Sequence, residues 1–347
     1  MKQTNMSLAT IKSGVYPASL VGSGYEDRLV DGGLNHHNGT GEPTDLLPVI
    51  NSLFLQQRQS WPGLEASFSQ LGRLSTHEVA LGEETNVVVQ LNERRAGRVR
   101  PGCFLDAENL PPEQRGTAFA GLFVAINPYP ILNDHLTGIY PRHTDQSIDL
   151  LLQPALRISR ALGPEFAVFY NGPLAGASAP GHAHVQAVRY GKFPVEQSLE
   201  RIDKPGLVRR ESHSTFLLPP TLGRTVLSIE SPDISTAEHT VREVIGCLPR
   251  EGDDHYDEPR LNLLIRTLPN GVVRTLITPR TKPEVKLGNE SVIRPATLEA
   301  IAGIVVVSTV DDHEHLRGNP DGIRGIYAAT TRGSEETREH LGKLLAA

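Results

Sequence analysis

The run His182-Ala183-His184-Val185-Gln186 sets two imidazoles and a carboxamide at alternate positions. On a strand alternate side chains share a face, so His182, His184 and Gln186 point one way and Ala183, Val185 and Ala187 point to the core. Immediately upstream, Gly172 to Gly181 is a loop of small residues whose backbone N–H groups can approach a phosphate, with Ser178 adding a hydroxyl donor. A neutral imidazole attacks phosphorus near pH 7 when a hydrogen bond to one ring nitrogen leaves the other as a lone pair. The product is a nucleotidyl-histidine, which divides one difficult displacement into two easier ones. Gln186 can donate N–H bonds to phosphoryl oxygens but transfers no proton. The leaving group must therefore be good already, such as a phosphate or a sugar 1-phosphate, which favours reversible transfer or phosphorolysis over hydrolysis. The competing reading is a pair of satisfied core histidines, against which the glycine-rich loop weighs.

The elements that hold this run read as an α+β pattern. Residues 1–43, rich in Gly, Ser and Asn with His36-His37 among them, read as an irregular arm; the His pair is a metal-binding candidate or a solvated turn. From Asp45, a candidate N-cap, Leu46, Ile50, Leu53, Phe54 and Trp61 recur at helical spacing, and Pro62 ends the helix. Trp61 is the only tryptophan, a core anchor or a platform for a base. Val87 to Asn92 is a strand running into a polar, Arg-bearing loop (Arg94, Arg95, Arg98, Arg100). Phe119 to Asn127 reads as one buried strand and Leu136 to Tyr140 as its neighbour. Thr144 or Asp145 caps a helix with Ile148, Leu151, Leu152, Ala155, Ile158 and Leu162 on one stripe, kinked at Pro154. Phe166 to Tyr170 and His182 to Tyr190 follow as strands. Thr225 to Glu230, a helix opened by a Ser235 to Glu238 capping box, and a hairpin turning at Pro269-Asn270-Gly271 repeat the strand–helix–strand–strand order. The expected units are 1–43, the arm; 44–200, a helical lead-in and catalytic half; 201–330, a second, degenerate half; and 331–347, a peripheral C-terminal helix.

Composition limits the rest. The 347 residues suit about two units. A net charge of −6 argues against a nucleic-acid partner without excluding small phosphorylated ligands. Two cysteines imply no disulfide scaffold and fit a reducing cytoplasm. The longest apolar stretch, near Ile301 to Val310, is about half of the roughly 20 residues a spanning helix needs, and the N-terminus carries no signal-peptide pattern. The expected protein is cytoplasmic, with no membrane partner, and either a monomeric pseudo-dimer or a homodimer.

Asn127-Pro128-Tyr129-Pro130-Ile131-Leu132, His135-Leu136 and Pro141-Arg142-His143 resemble the first half of a histidine-triad superfamily domain. Asn171-Gly172, Gly176-Ala177-Ser178 and His182 to Gln186 resemble its active-site half. Gln186, where histidine-triad hydrolases have a third histidine, is similar to the galactose-1-phosphate uridylyltransferase branch, which includes diadenosine tetraphosphate phosphorylases and GDP-L-galactose phosphorylase. The resemblance is strong over roughly residues 87–190 and weaker through Leu261 to Leu264 and Thr278 to Lys282. It implies duplicated histidine-triad-like units, antiparallel sheets flanked by helices. It further implies His184 as nucleophile, Gln186 as phosphate-binding partner, and Asn171, Gly176 and Ser178 as parts of the phosphate cradle. The substrate it implies is a dinucleoside polyphosphate or nucleotide sugar, with phosphate or a sugar 1-phosphate as acceptor. Hexose-1-phosphate uridylyltransferase-type exchange and an inactive nucleotide-binding sensor remain as alternatives.

By the same resemblance, Cys103, Asp106, His143 and His182 match a structural zinc site in which Asp106 replaces a second cysteine. Zinc accepts an Asp oxygen, so the site either survives or is lost with Cys103 left as a small buried residue; no organic cofactor is implied. For phosphate charge, Asn92 with Arg94, Arg142, Arg280 and Lys282 are candidates, each alone also readable as a surface residue. Asp311 to His315 and Asp253-Asp254-His255 read as a solvated turn or helix start and a solvated acidic loop.

Overall fold

The computed structural model describes residues 22–30, 45–83, 85–95, 103–190, 193–201, 207–209, 215–217, 223–250, 255–287 and 291–345. Arg98, Arg100, His36, His37, Asp253 and Asp254 lie outside them, as does most of the 1–43 arm.

Two helices, α1 (Leu47–Ser60) and α2 (Pro62–Leu71), open the described core. The N-cap of α1 is Leu46 rather than Asp45, whose carboxylate one residue earlier accepts from the Leu47 amide, and Trp61 sits half-buried between the helices against the main core. Strands β1 (Thr76–Ala80) and β2 (Asn86–Leu91) form a hairpin. The stretch read as one strand from Phe119 to Asn127 is instead a second hairpin, β3 (Gly116–Phe119) and β4 (Leu122–Ile126). Ala120 and Gly121 both have positive φ, 52° and 78°, the backbone of a two-residue hairpin turn; a run of apolar residues hid it.

Then come β5 (Leu136–Ile139), α3 (Ile148–Leu162), β6 (Phe166–Asn171) and β7 (His184–Arg189). The α3 stripe is buried in the main core as its spacing requires. Its N-cap is Ser147 rather than Thr144 or Asp145, and the first free amide, Ile148, donates to the carboxylate of Glu258 at 2.7 Å. A distant side chain thus supplies the cap. The remaining elements are α4 (Pro194–Arg201), β8 (Leu207–Arg209), β9 (Thr215–Leu217), β10 (Leu227–Ser231), α5 (Ile234–Cys247), β11 (Leu261–Thr267), β12 (Val273–Pro279), β13 (Val285–Leu287), β14 (Ser291–Ile293), β15 (Ile304–Val307), α6 (Val310–Leu316), α7 (Pro320–Thr330) and α8 (Ser334–Leu345). Helix α5 is capped by Asp233, which accepts from the Thr236 amide, not by the Ser235 box. Helix α8 is less peripheral than its sequence suggests, because Leu341 is buried in the main core.

The architecture is α+β. Ten strands form one antiparallel sheet in the order β3-β4-β5-β7-β6-β11-β12-β10-β9-β8. β6 meets β11 in antiparallel register, with Asn171 opposite Asn262. A smaller sheet, β1-β2-β15, contains one parallel pair, β2 with β15, so the sheets are not all antiparallel. No helix among the described residues is long and apolar enough to cross a membrane.

Candidate active site

β7 presents its residues as the alternation demands. Ala183, Val185 and Ala187 are buried in the main core, and His184 and Gln186 face the other way. The strand starts at His184 rather than His182, whose ring turns toward a separate cluster. A cavity of about 890 Å³ lies on this side. Asn171, the loop from Gly176 to Gly181, His182 and Gln186 line it, with Asn92 and Arg94 from beyond β2 and the apolar side chains of Ile131, Phe169, Leu298 and Val306.

His184 is held as a neutral imidazole of one tautomer. Its Nδ1–H donates to the His182 carbonyl at 2.8 Å, and among the described residues nothing bonds Nε2. Burial lowers its pKa to about 4, opposed by the bond to the His182 carbonyl. Gln146 fixes the backbone on either side. Its Oε1 accepts from the His184 amide, and its Nε2 donates to the carbonyls of His184 and Asn171. His184 itself is 2% exposed and stands behind the lining residues His182 and Gln186.

Two amide groups at the cavity are oriented by what their oxygens accept. The Ile131 N–H donates to Nδ1 of His135 at 3.3 Å, so the ring proton sits on Nε2 and donates to Gln186 Oε1 at 2.7 Å. The Gln186 NH₂ is thereby turned away from His135. Asn171 Oδ1 accepts from the Thr297 amide, the Thr297 hydroxyl and Asn262 Nδ2, which leaves its own NH₂ without a protein acceptor among the described residues. Between them, the amides of Gly176, Ser178 and Gly181 meet no protein acceptor among the described residues. Gly176 has φ +90°, and a Cβ there would lie 2.7 Å from the Pro295 carbonyl, so this turn admits only glycine without displacement. Five N–H-bearing groups at one end of a cavity make a site for an anion.

The four proposed metal ligands also converge. Atoms of Cys103, Asp106, His143 and His182 lie within 4.8 Å of one another. His182 Nε2–H donates to the Tyr140 carbonyl at 2.9 Å, so in the neutral ring Nδ1 is a bare lone pair. That lone pair faces Cys103 Sγ at 3.2 Å and Asp106 Oδ1 at 3.0 Å, and His143 Nδ1 meets the same oxygen at 2.8 Å. The contact of His182 Nδ1 with Asp106 Oδ1 opposes two lone pairs that a cation between them would satisfy, and the sulfur, carboxylate and imidazole donors of this cluster suit zinc. The described part of the N-terminal arm braces this loop: Tyr25, 1% exposed, donates its hydroxyl to the Leu105 carbonyl.

The expected cations fare differently. Arg94 lines the cavity. Arg142 is exposed and donates to the Tyr140 hydroxyl, and neither it nor exposed Lys282 reaches the lining. Arg280 is 1% exposed and spends its guanidinium on the Thr330, Pro295 and Lys282 carbonyls and Asn262 Oδ1. It is a brace behind the Asn171 side chain, not a phosphate contact. His135, Gln146 and Asn262 were missed as site residues. His135 stood in a recognised motif and Asn262 in the weakly matching stretch Leu261 to Leu264, whereas Gln146 acts across sequence separations that no local pattern reports.

A family model described as a domain of unknown function (DUF4922) matches residues 53–189. No curated protein matches the sequence. By structure, the chain is similar to the crystal structure of yeast Ap4A phosphorylase Apa2, with a TM-score of 0.59 at 14% identity over 80% of this chain and 97% of that one. The same yeast protein in complex with AMP gives 0.53 at 14% identity over 78% and 94%. The chain shares the fold of that phosphorylase.

Proposed function

We propose that the protein is a nucleotidyltransferase of the phosphorylase type, acting on a dinucleoside polyphosphate or nucleotide sugar through a nucleotidyl-histidine at His184. The observation that carries this reading is the fixed His184 tautomer beside two oriented amides and three free backbone N–H groups. His184 Nε2 attacks the α-phosphorus, the bond to the phosphorylated leaving group breaks, and Nδ1–H keeps its bond to the His182 carbonyl, which stabilises the charge gained by the ring. Gln186 and Asn171 donate to the phosphoryl oxygens as their charge redistributes. Phosphate or a sugar 1-phosphate then attacks the same phosphorus and frees His184. Cys103, Asp106, His143 and His182 would hold a zinc ion whose chemistry is structural, tying the 103–106 loop to the start of β7. Likeness to a yeast Ap4A phosphorylase, one of whose structures contains AMP, supports the substrate class.

The reading includes duplication, a catalytic unit over 44–200 and a degenerate one over 201–330. Supporting it, β5-α3-β6-β7 and β10-α5-β11-β12 run in the same order, with sheet orders β5-β7-β6 and β10-β12-β11. β12, in the place of β7, carries no histidine.

One observation favours a second reading, binding without turnover: His184 is 2% exposed and outside the lining, so attack needs the ring to be uncovered. Incubation with dinucleoside polyphosphates and nucleotide sugars, with and without phosphate, separates the two. Phosphate-dependent release of a nucleoside diphosphate, lost in His184→Ala, supports the enzyme. Ligand-induced stabilisation with no product in either protein supports the binder.

A further inference from the structure

The cavity is lined by a second set of polar groups. β2 and β15 run parallel with Leu91 opposite Val307, so Asn92 and Ser308 emerge side by side at their carboxyl ends, and Asp312 follows in the first turn of α6. All three line the cavity. Asn92 is 4% exposed, and its side-chain amide has no partner among the described residues. Asp312 is 8% exposed, accepts the Thr309 hydroxyl on Oδ2 at 2.7 Å, and has no cationic partner among the described residues. A carboxylate and an amide that line one cavity, both with bonding capacity to spare, give a ligand an acceptor pair and an amide to bond.

The surroundings say what kind of ligand. Ile131, Leu298, Phe169 and Val306 form one apolar wall of the cavity, suited to a flat ring. The wall connects to the anion site: Gln90, two residues before Asn92, donates to the Ile131 carbonyl, and Ile131 leads through His135 to Gln186. A carboxylate accepts two parallel N–H bonds. Guanine offers such a pair at N1–H and N2–H₂, and its O6 and N7 suit an amide. Adenine would turn a ring lone pair on the carboxylate, and uracil would turn carbonyl oxygens on it.

We propose that Asp312, with Asn92, is the base-selecting site and reads the paired N–H edge of guanine. The proposal rests on the nucleotide reading of the cavity and goes beyond it by naming the base. A sugar diol also presents two adjacent donors, and the test separates the two sources. Dissociation constants are measured by titration calorimetry for GDP, ADP, UDP, IDP, XDP and 2′,3′-dideoxy-GDP on wild type and Asp312→Asn. The substitution keeps an acceptor for Thr309, and its amide pairs with the N–H and carbonyl of xanthine. The expected result is GDP binding about 10-fold or more tighter than ADP, UDP and IDP, with dideoxy-GDP close to GDP. Asp312→Asn then weakens GDP by a similar factor and tightens XDP, a gain that misfolding does not produce. Equal affinity for GDP, ADP and UDP overturns the base assignment alone. Weak dideoxy-GDP with undiminished IDP overturns it in favour of the sugar. Failure of wild type to bind any of the six overturns the nucleotide reading and this proposal together.

Discussion

Gln186 donates usefully only if its amide faces the substrate, and His135 decides which way it faces. Replacing His135 by Ala frees the amide to flip and leaves the Ile131 N–H unpaired. The expected effect is a loss of about 10- to 100-fold in kcat, roughly 1.4 to 2.7 kcal/mol of transition-state stabilisation, with KM changed only a few-fold; steady-state kinetics on the turned-over substrate check it. At the zinc cluster, one donor atom from each of Cys103, Asp106, His143 and His182 lies within 4.8 Å of the others. Added zinc is expected to stabilise wild type by about 2.7 kcal/mol at a hundredfold excess over Kd, read as a raised Tm that a chelator reverses and Cys103→Ser largely removes. At this scale the sequence was most informative. The run from His182 to Gln186 stood out because residue types and alternate spacing carry the chemistry, whereas the four zinc-site residues, spread from 103 to 182, came from the family resemblance and are brought within 4.8 Å of one another by the fold. Arg280 misled, because a basic residue at a strand end looks the same whether it meets a phosphate or four protein oxygens.

Elements are where Glu258 acts. Its carboxylate caps α3 by accepting from the Ile148 amide and accepts the single Tyr170 O–H, which lies 2.7 and 2.9 Å from its two oxygens. Burial raises its pKa from 4.5 to about 7, only partly offset by those bonds. The folded protein therefore holds a proton that the unfolded chain releases between about pH 4.5 and 7. Stability falls as pH rises through that window and levels off above it, by at most about 3 kcal/mol from this group. Urea unfolding of wild type and Glu258→Gln at pH 5 and pH 7.5 checks the sign: the wild-type decline is expected to shrink in the variant. This cap explains why α3 began where no local signal put it, since 110 residues separate donor from acceptor. Periodicity located the helix body because the stripe from Ile148 to Leu162 is set by local geometry. The β3–β4 turn was illegible because both strands and the turn are apolar.

At the scale of the molecule, the cavity's anion end depends on the β6–β11 pair. Asn262 in β11 donates to Asn171 and to the Ala175 carbonyl, and Arg280 at the end of β12 holds Asn262 in turn. Arg280→Met takes the donor from two buried oxygens, Asn262 Oδ1 and the Pro295 carbonyl, and a loss of about 2 kcal/mol or more is expected, read as a lower urea midpoint with lowered nucleotide affinity in the folded fraction. The ten-stranded order was only partly legible. Strand–helix–strand–strand appears twice in the sequence, but no residue pattern announces that β6 joins β11 or that β2 runs parallel to β15. Those pairings join residues 91 and 216 positions apart, and that distance is why Asn92 and Asp312 share a cavity that neither local motif suggested.

The most direct test of the covalent route is to quench turnover in alkali, where a phosphorus–nitrogen bond to imidazole survives, and to map the mass added to the peptide containing residues 182–189. A nucleoside monophosphate on His184, removed by acid and absent from His184→Ala, is the predicted result. Continued turnover with that peptide unmodified, or with the adduct on another side chain, contradicts it.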